Sequence, residues 1–479
     1  MNMNSTSTSM KTPVGAFATL ITIFFFWGFV AASNDILIPV FKKALQLSQL
    51  ESQLISFAFY VAYAVGSILY FVISALIRRD VLNAIGYRNG LALGLIISAL
   101  GTLLFVPASN SASFLLLISG LFIVGIGFSL QQIAANPLAI RMGDPAKGSM
   151  RLSLAGGINN VGTTLGPVVV SFAIFGGSGA GASLDLTAVQ TPYLVLGAAF
   201  VLAAIFFKFS SVPDRIDDGQ SQKQESITEV LKYPQLTLGM IAIFVYVGVE
   251  VATAGNLGEF MRVHLNKQEQ EFAPFVSLFW ASLMIGRWTS AAGAFDIGEG
   301  LKKMLGVVLP FVAFGIFASV NIIAGHDVTE MLPYLGLILV LIAADFVSKG
   351  NPTKQLFIYS LLGILALLVG MLSSGMIAAF AFVSVGLFCS TLWPCIFTLG
   401  IAGLGNKTNV GSSLLVMMIM GGGFISVLQG ALASDEYLGI QHSYIVGVCC
   451  FAYLAFYAVF MKSTLRKQGI ALDQSVASH

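Results

Sequence analysis

The sequence predicts an all-α integral membrane protein whose chain crosses the bilayer fourteen times. Three observations carry that prediction. Of the 479 residues, 57% are hydrophobic, and the mean hydropathy is +0.88. Only 46 residues are charged, 24 Lys+Arg and 22 Asp+Glu, or 10% of the chain, where a soluble domain carries about 25%. Charge-free runs recur at the length a bilayer demands, since a hydrocarbon core about 30 Å thick takes about 20 apolar residues per helix. A soluble fold is excluded. A net charge of +2 also argues against nucleic-acid binding, which needs a basic patch or stripe.

The spans follow in chain order. Residues 12–34 and 52–77 are charge-free runs of one helix each. Residues 89–140 run for 52 residues without a charge, enough for two helices, with a break around 107–113. Residues 152–184 hold one span and a glycine-rich loop at 176–183, and 186–207 hold the sixth span. The polar stretch 208–235 separates six spans from eight and suits a linker with a short helix at 225–232. Residues 233–258 contain one acid and 272–295 one arginine. Residues 304–325 and 331–348 form a pair, 355–406 hold two spans, and 408–434 and 437–461 complete the set. The N-terminal 12 residues lead into a full-length span with no small-residue cleavage site, so a first helix is expected rather than a signal peptide.

Charge fixes the expected orientation. With the N-terminus inside, 20 of the 24 basic residues fall in cytoplasmic segments, and external loops keep only Lys42, Lys43, Arg262 and Lys267. The positive-inside rule then puts both termini in the cytoplasm and requires an even number of spans.

The two halves look alike. The run 125–137, with Gln131, Gln132, Asn136 and Pro137, is matched by 385–394, with Cys389, Ser390, Thr391, Trp393 and Pro394. In each, a polar break with a proline interrupts an apolar helix. Interrupted helices at corresponding positions of two halves point to a secondary transporter. The halves differ by two helices. Residues 301–350 therefore read as an inserted hairpin, which returns to the side it left and inverts nothing downstream. The expected divisions are a six-helix bundle at 1–207, a linker at 208–234, two helices at 235–300, the hairpin at 301–350, four helices at 351–465 and a tail at 466–479.

Ionisable groups inside a span are functional candidates by default, because insertion costs about 2.5–3.5 kcal/mol each. Asp35 follows Asn34 late in the first span, and Glu250 lies inside the seventh, on the corresponding helix of the other half. Either carboxylate can bind and release a proton, or simply reach the headgroups. Asp345 sits near the cytoplasmic end of the hairpin and reads as interfacial. Arg287 lies near the inner end of its span and reads as a structural or gating contact, or as snorkelling to the interface. Asn34, Gln131, Gln132, Asn136, Asn159 and Asn160 are amides in apolar helices. They glue helices together or hydrogen-bond sugar hydroxyls, since an amide both donates and accepts. Trp27, Trp280 and Trp393 either anchor at the interface or stack on a pyranose ring.

Other signals are decoys. The run 400–408 resembles a phosphate loop, but Asn406 separates Gly405 from Lys407. Four cysteines lie inside apolar runs and four histidines lie outside spans or at their edges, without metal-like spacing. No metal and no cofactor are expected.

The residues carry a resemblance. Trp27-Gly28, then Asn34-Asp35-Ile36-Leu37-Ile38-Pro39, Ala134-Ala135-Asn136-Pro137 and Arg151-Leu152-x-Leu154-Ala155 resemble the fucose–galactose–glucose:proton symporter family of the major facilitator superfamily. Tyr246-Val-Gly-Val-Glu250, Phe279-Trp280, Met284-Ile-Gly-Arg287, the run from Pro394 to Gly400 and Leu428-Gln429-Gly430 fit as well. The likeness covers nearly the whole chain apart from 301–350. It implies the major facilitator fold: two six-helix bundles around a midplane sugar cavity, here with the added hairpin. Fucose permeases of the family carry a carboxylate where this chain has Gln132, and an amide where it has Glu250. The Gln132/Glu250 pattern resembles the glucose/galactose branch. The family's fifth-helix amide maps to Asn159, and a neighbouring glutamine is replaced by Gly156. Coupling stays open between Asp35 alone, Asp35 with Glu250, and sodium.

The expected protein is a monomeric hexose:proton symporter of the inner membrane, not an enzyme. Asp35 and Glu250 carry coupling. Asn34, Gln132, Asn136, Asn159, Glu250, Trp280 and Trp393 bind sugar, and Arg287 gates. A sodium-coupled or facilitative carrier, and a sugar sensor without transport, are the alternatives.

Overall fold

The computed structural model describes residues 13–46, 49–144, 147–175, 190–214, 227–267, 269–294, 297–434 and 436–470. Side chains are described throughout except at 32–44, 49–56, 167–175, 269–270, 294 and 406. Among the described residues every regular element is helical. Lipid offers no partner to N–H or C=O, and a helix satisfies both within itself.

Six long helices precede the linker: α1 (Val14–Ala44), α2 (Gln49–Ile77), α3 (Tyr87–Leu103), α4 (Phe114–Arg141), α5 (Gly148–Phe175) and α6 (Gln190–Lys208). After it come α7 (Pro234–Leu265), α8 (Glu269–Ala291), α9 (Glu299–Ile323), α10 (Leu335–Ser348) and α11 (Pro352–Leu372). Two interrupted spans follow, α12 (Gly375–Cys389) with α13 (Leu392–Ile401), and α14 (Thr408–Met417) with α15 (Gly421–Leu432); α16 (Ile445–Lys467) is last. The linker helix is Ile227–Val230, shorter than expected, and α16 runs two residues past the expected boundary at 465.

Among the described residues twelve segments are long and apolar enough to cross a membrane, where the sequence led us to expect fourteen spans. α5 and α8 fall outside the twelve. α8 carries Arg287 and four serines and threonines, α5 carries Asn159, Asn160, Thr163 and Thr164 and has side chains described only to 166, and the two lie against each other.

Packing repeats across the linker. α3 lies on α4 and α6, and α11 lies on α12 and α16 in the same way. α1 lies on α5 as α7 lies on α15, and α2 on α4 as α8 on α12. α9 lies on α8, and α10 lies on α11 and α8.

Lipid gives helices no hydrophobic reason to associate, so small residues that admit close backbones take over. A Cβ on Gly28 of α1 would stand 1.9 Å from the Asn159 carbonyl oxygen, and one on Gly162 of α5 would stand 2.2 Å from that of Phe25. Each glycine is the groove for the other helix.

Proline sets the polar breaks. Within a helix it lacks an N–H and crowds the carbonyl four residues earlier, leaving that oxygen without its helical donor. For Pro137 the oxygen belongs to Ile133, and the Ser412 hydroxyl of α14 donates to it at 3.1 Å. For Pro394 it belongs to Ser390, and Arg287 Nε donates at 2.8 Å. The end of α4 is closed similarly. Fully buried Arg151 donates from Nε to Ala139 O at 3.0 Å and from Nη2 to Ile140 O, satisfying carbonyls of the last turn.

Gly28→Val and Gly162→Val should each force α1 off α5. Overpacking of this kind costs about 1–3 kcal/mol, and the expected result is a lower melting temperature and less monodisperse protein in detergent, measured by thermal-shift chromatography.

Candidate functional site

On the second half, the Tyr246 hydroxyl donates to Glu250 Oε2, one turn away on α7. Tyr246 is buried while Glu250 keeps an exposed part. Trp393, at the α12–α13 break that Pro394 creates, places its ring 6.3 Å from that of Tyr246 and 5.7 Å from that of Phe397. Trp280 of α8 meets Phe279 edge-on at 5.5 Å. Trp280 and Trp393 are half-buried, like Glu250. The break thus gathers a carboxylate, a phenol and an indole.

On the first half the amides divide. Gln132 donates to the Tyr63 hydroxyl at 3.3 Å, and Asn159 donates to Phe24 O at 2.8 Å; both residues are half-buried. Among the described residues no donor bonds to either amide oxygen. Gln131 is fully buried, accepting from Trp27 Nε1 at 2.7 Å and donating to Ser98 at 3.1 Å. It ties α1, α3 and α4 together, so Gln131 and Trp27 are interior glue. Asn136 is 1% exposed, and among the described residues nothing accepts from its buried Nδ2. The structure therefore sets it apart from the half-buried amides with which the sequence grouped it. Asn34 and Asp35 lie outside the described residues as far as their side chains go.

The halves meet along a seam. Val247 and Val251 of α7 and Tyr60 of α2 all surround Gly422, where an added Cβ would stand 3.1–3.2 Å from each. The Phe424 ring lies 5.9 Å from Phe57 of α2 and 6.1 Å from Phe244 of α7.

Elsewhere on the seam Arg287 crosses it. Its Nη1 donates to Gly156 O at 3.0 Å and to Asn160 Oδ1 at 2.6 Å, while its Nε holds Ser390 O. The residue is 8% exposed, so it does not snorkel. No carboxylate hydrogen-bonds to it among the described residues; two carbonyls and an amide oxygen accept from it, and the Glu250 carboxyl lies close enough to act on its charge. A Cβ at 156 would stand 2.9 Å from Nη1. The absence of a side chain there is what admits the guanidinium.

A second crossing was not legible in the sequence. Asp80, in the short loop after α2, accepts from Tyr70 at 2.5 Å, from Asn83 N at 2.9 Å and from Asn409 Nδ2 of the second half at 2.9 Å. Tyr87 donates to Asn409 Oδ1. An acid following two arginines looks like a solvated loop charge, and only its 8% exposure reveals otherwise. Asp345, read from the sequence as interfacial, has partners within the protein: its Oδ1 accepts from Ser290 at 2.6 Å and from Gln355 at 3.0 Å.

The chain matches the Major Facilitator Superfamily over residues 15–427. It is 31% identical over 460 residues to the glucose/galactose transporter of Brucella abortus, covering 95% of this chain and 96% of that one. It is 30% identical over 455 residues to a putative glucose/galactose transporter of Helicobacter pylori, covering 93% and 96%. The L-fucose-proton symporter of Escherichia coli is 26% identical over 470 residues, covering 94% and 93%. The crystal structure of the transporter FucP in the outward conformation superposes with a TM-score of 0.71 at 24% identity, over 93% of this chain and 98% of that one, and supports the fold.

The seam yields a prediction. Cys389 is fully buried, one residue before Ser390. Arg287→Met and Gly156→Val should loosen the crossing, and maleimide labelling of Cys389, followed by peptide mass spectrometry, should accelerate about tenfold, as loss of a charged hydrogen bond implies.

Proposed function

Because the chain belongs to the Major Facilitator Superfamily, and within it to the fucose–galactose–glucose:proton symporter family, we propose that it carries a hexose, glucose or galactose, together with a proton by alternating access. It is a multi-pass membrane protein of a transporter family, not an enzyme family. One observation carries the reading. Glu250, held by Tyr246 beside Trp393, stays half-buried on one half, and Gln132 and Asn159 stay half-buried with spare amide oxygens on the other.

A sugar presents hydroxyls that donate and accept around a ring with apolar faces. Gln132, Asn159 and Glu250 take the hydroxyls, with Asn34 and Asn136 joining as the halves rearrange, and the rings of Trp280 and Trp393 take the apolar face. Asp35 is the main proton carrier. Glu250 is a second carrier or a hydroxyl acceptor. Because Gln132 cannot hold a proton, a carboxylate at that position plays no part in coupling. Arg287 on Gly156 and Asn160, and Asn409 on Asp80, close one end of the seam. No cofactor takes part; the proton gradient drives uptake, and a single chain, holding both halves, is the transport unit.

In the proposed topology the chain spans the inner membrane fourteen times, with cytoplasmic termini and residues 301–350 as an inserted hairpin. Support comes from the packing, in which α7, α8, α11, α12, α15 and α16 of the second half repeat contacts of the first. The positive-inside bias adds to it. A cysteine at position 327 should react with a membrane-impermeant maleimide from outside intact cells, and one at 350 should not. Labelling of both from the same side would remove the hairpin.

Glucose added to proteoliposomes holding the protein should raise the external pH as protons enter. Uptake that proceeds without alkalinisation would leave a sodium-coupled or facilitative carrier, and replacing sodium by choline separates those two. Asp35→Asn should abolish concentrative uptake and retain sugar exchange. Unchanged accumulation in that variant would remove Asp35 from coupling.

A further inference from the structure

α8 carries two of the residues named above, Trp280 and Arg287, yet it is shielded from lipid in a way its counterpart is not. α2 presents Ile68, Leu69, Val72, Ile73 and Leu76 outward. Between 271 and 291 of α8 only Glu271 is exposed. The α9–α10 hairpin makes the difference. Its own outer surface is apolar, with Val307, Val308, Val312, Leu339, Val340 and Val347 exposed.

Burial alone would make the hairpin a lipid substitute, but its polar contacts follow α8 from one end to the other. Just before α8, Lys267 pairs with Glu330 at 2.9 Å. Along the helix, Asn321 donates to Ser277 at 3.1 Å, Tyr334 shares a hydrogen bond with Ser282 at 2.6 Å, and Ser290 donates to Asp345 at 2.6 Å. Gln355 of α11 joins the last, donating to Asp345 at 3.0 Å and to Ser290 at 2.8 Å. Four hydroxyl or phenol groups, two amides and one carboxylate thus link the hairpin to α8 and α11. A half-buried carboxylate within a span is a costly choice for mere attachment. What it fixes is the last turn of α8, where Ser290 stands three residues after Arg287.

We propose that the hairpin is a brace that positions Arg287: Asp345 holds Ser290, the last turn of α8 is thereby fixed, and the guanidinium is kept in register with Gly156 O, Asn160 and Ser390 O. Asp345 is a positioning residue that acts through Arg287 and touches no sugar. The inference rests on Arg287 closing the seam, as in the function proposed above, and its readout needs no sugar.

The experiment measures maleimide labelling of Cys389 in the full-length protein, with peptide mass spectrometry to identify the site and size-exclusion chromatography to confirm folding. Asp345→Leu and Ser290→Ala should each speed labelling about tenfold, the factor set by losing one hydrogen bond to a charged group. Asp345→Asn, which keeps an acceptor oxygen, should label at the wild-type rate. In an Arg287→Met background, Asp345→Leu and Ser290→Ala should add nothing, because residues that act through one interaction are non-additive. Wild-type rates in both single variants would overturn the proposal, as would effects that multiply with Arg287→Met, or an Asp345→Asn rate equal to that of Asp345→Leu. Should Asp345→Leu fail to fold, Ser290→Ala carries the same comparison. A failure of sugar-driven proton uptake would strike the transport reading and leave these labelling rates untouched.

Discussion

A carbonyl that a proline strips of its helical donor must find another where there is no water, and much of this structure answers that need. Pro394 releases Ser390 O, and the group that takes it is Arg287, which reaches on to Gly156 O and Asn160 of the other half. Pro137 releases Ile133 O, and Ser412 takes it from across the seam. In lipid an unsatisfied carbonyl costs several kcal/mol. The two prolines therefore do more than interrupt helices. They create acceptors at the seam and draw in donors from other helices, one of them from the opposite half.

Those bonds suit a carrier because they are few and polar. Each seam crossing consists of a handful of hydrogen bonds to carbonyls, amides or a single aspartate, with no buried ion pair among the described residues. Such a contact can be exchanged for another of similar energy when the halves rock, whereas an interdigitated apolar core resists separation. The half-buried groups differ in kind. Gln132, Asn159, Glu250, Trp280 and Trp393 each retain surface or hydrogen-bonding capacity that the structure does not consume. Gln131, Asn160 and Trp27 spend theirs on neighbouring helices.

On the brace proposed above, the larger second half is connected with the same arginine. Guanidinium groups are effective only when held in register with their acceptors. α8 must hold Arg287 steady through a rearrangement, and a helix with one face in fluid lipid is poorly placed to do so. α2, which carries no such charge in mid-span, is left open to lipid. The hairpin covers α8 and bonds to it at Ser277, Ser282 and Ser290.

The sequence by itself determined the solvent, the helical class, the approximate span positions and the likeness of the halves. These depend on composition and on runs of about 20 residues, which are local properties. It also singled out Glu250, Gln132, Asn159, Arg287, Trp280 and Trp393, because polar, charged or indole groups stand out in apolar helices. Residue type alone does not separate Gln131 from Gln132, or Asn159 from Asn160; the family resemblance picks Gln132 and Asn159. Neighbours in a helix point about 100° apart, so one amide of each pair faces a neighbouring helix or crosses the seam while the other stays half-buried, and only packing decides which. The partners of Asp80 and Asp345, Asn409 and Ser290, lie 329 and 55 residues away in the chain. Tertiary structure alone assigns those partners. A buried acid is recognised by what surrounds it, and that is assembled from distant segments of the chain.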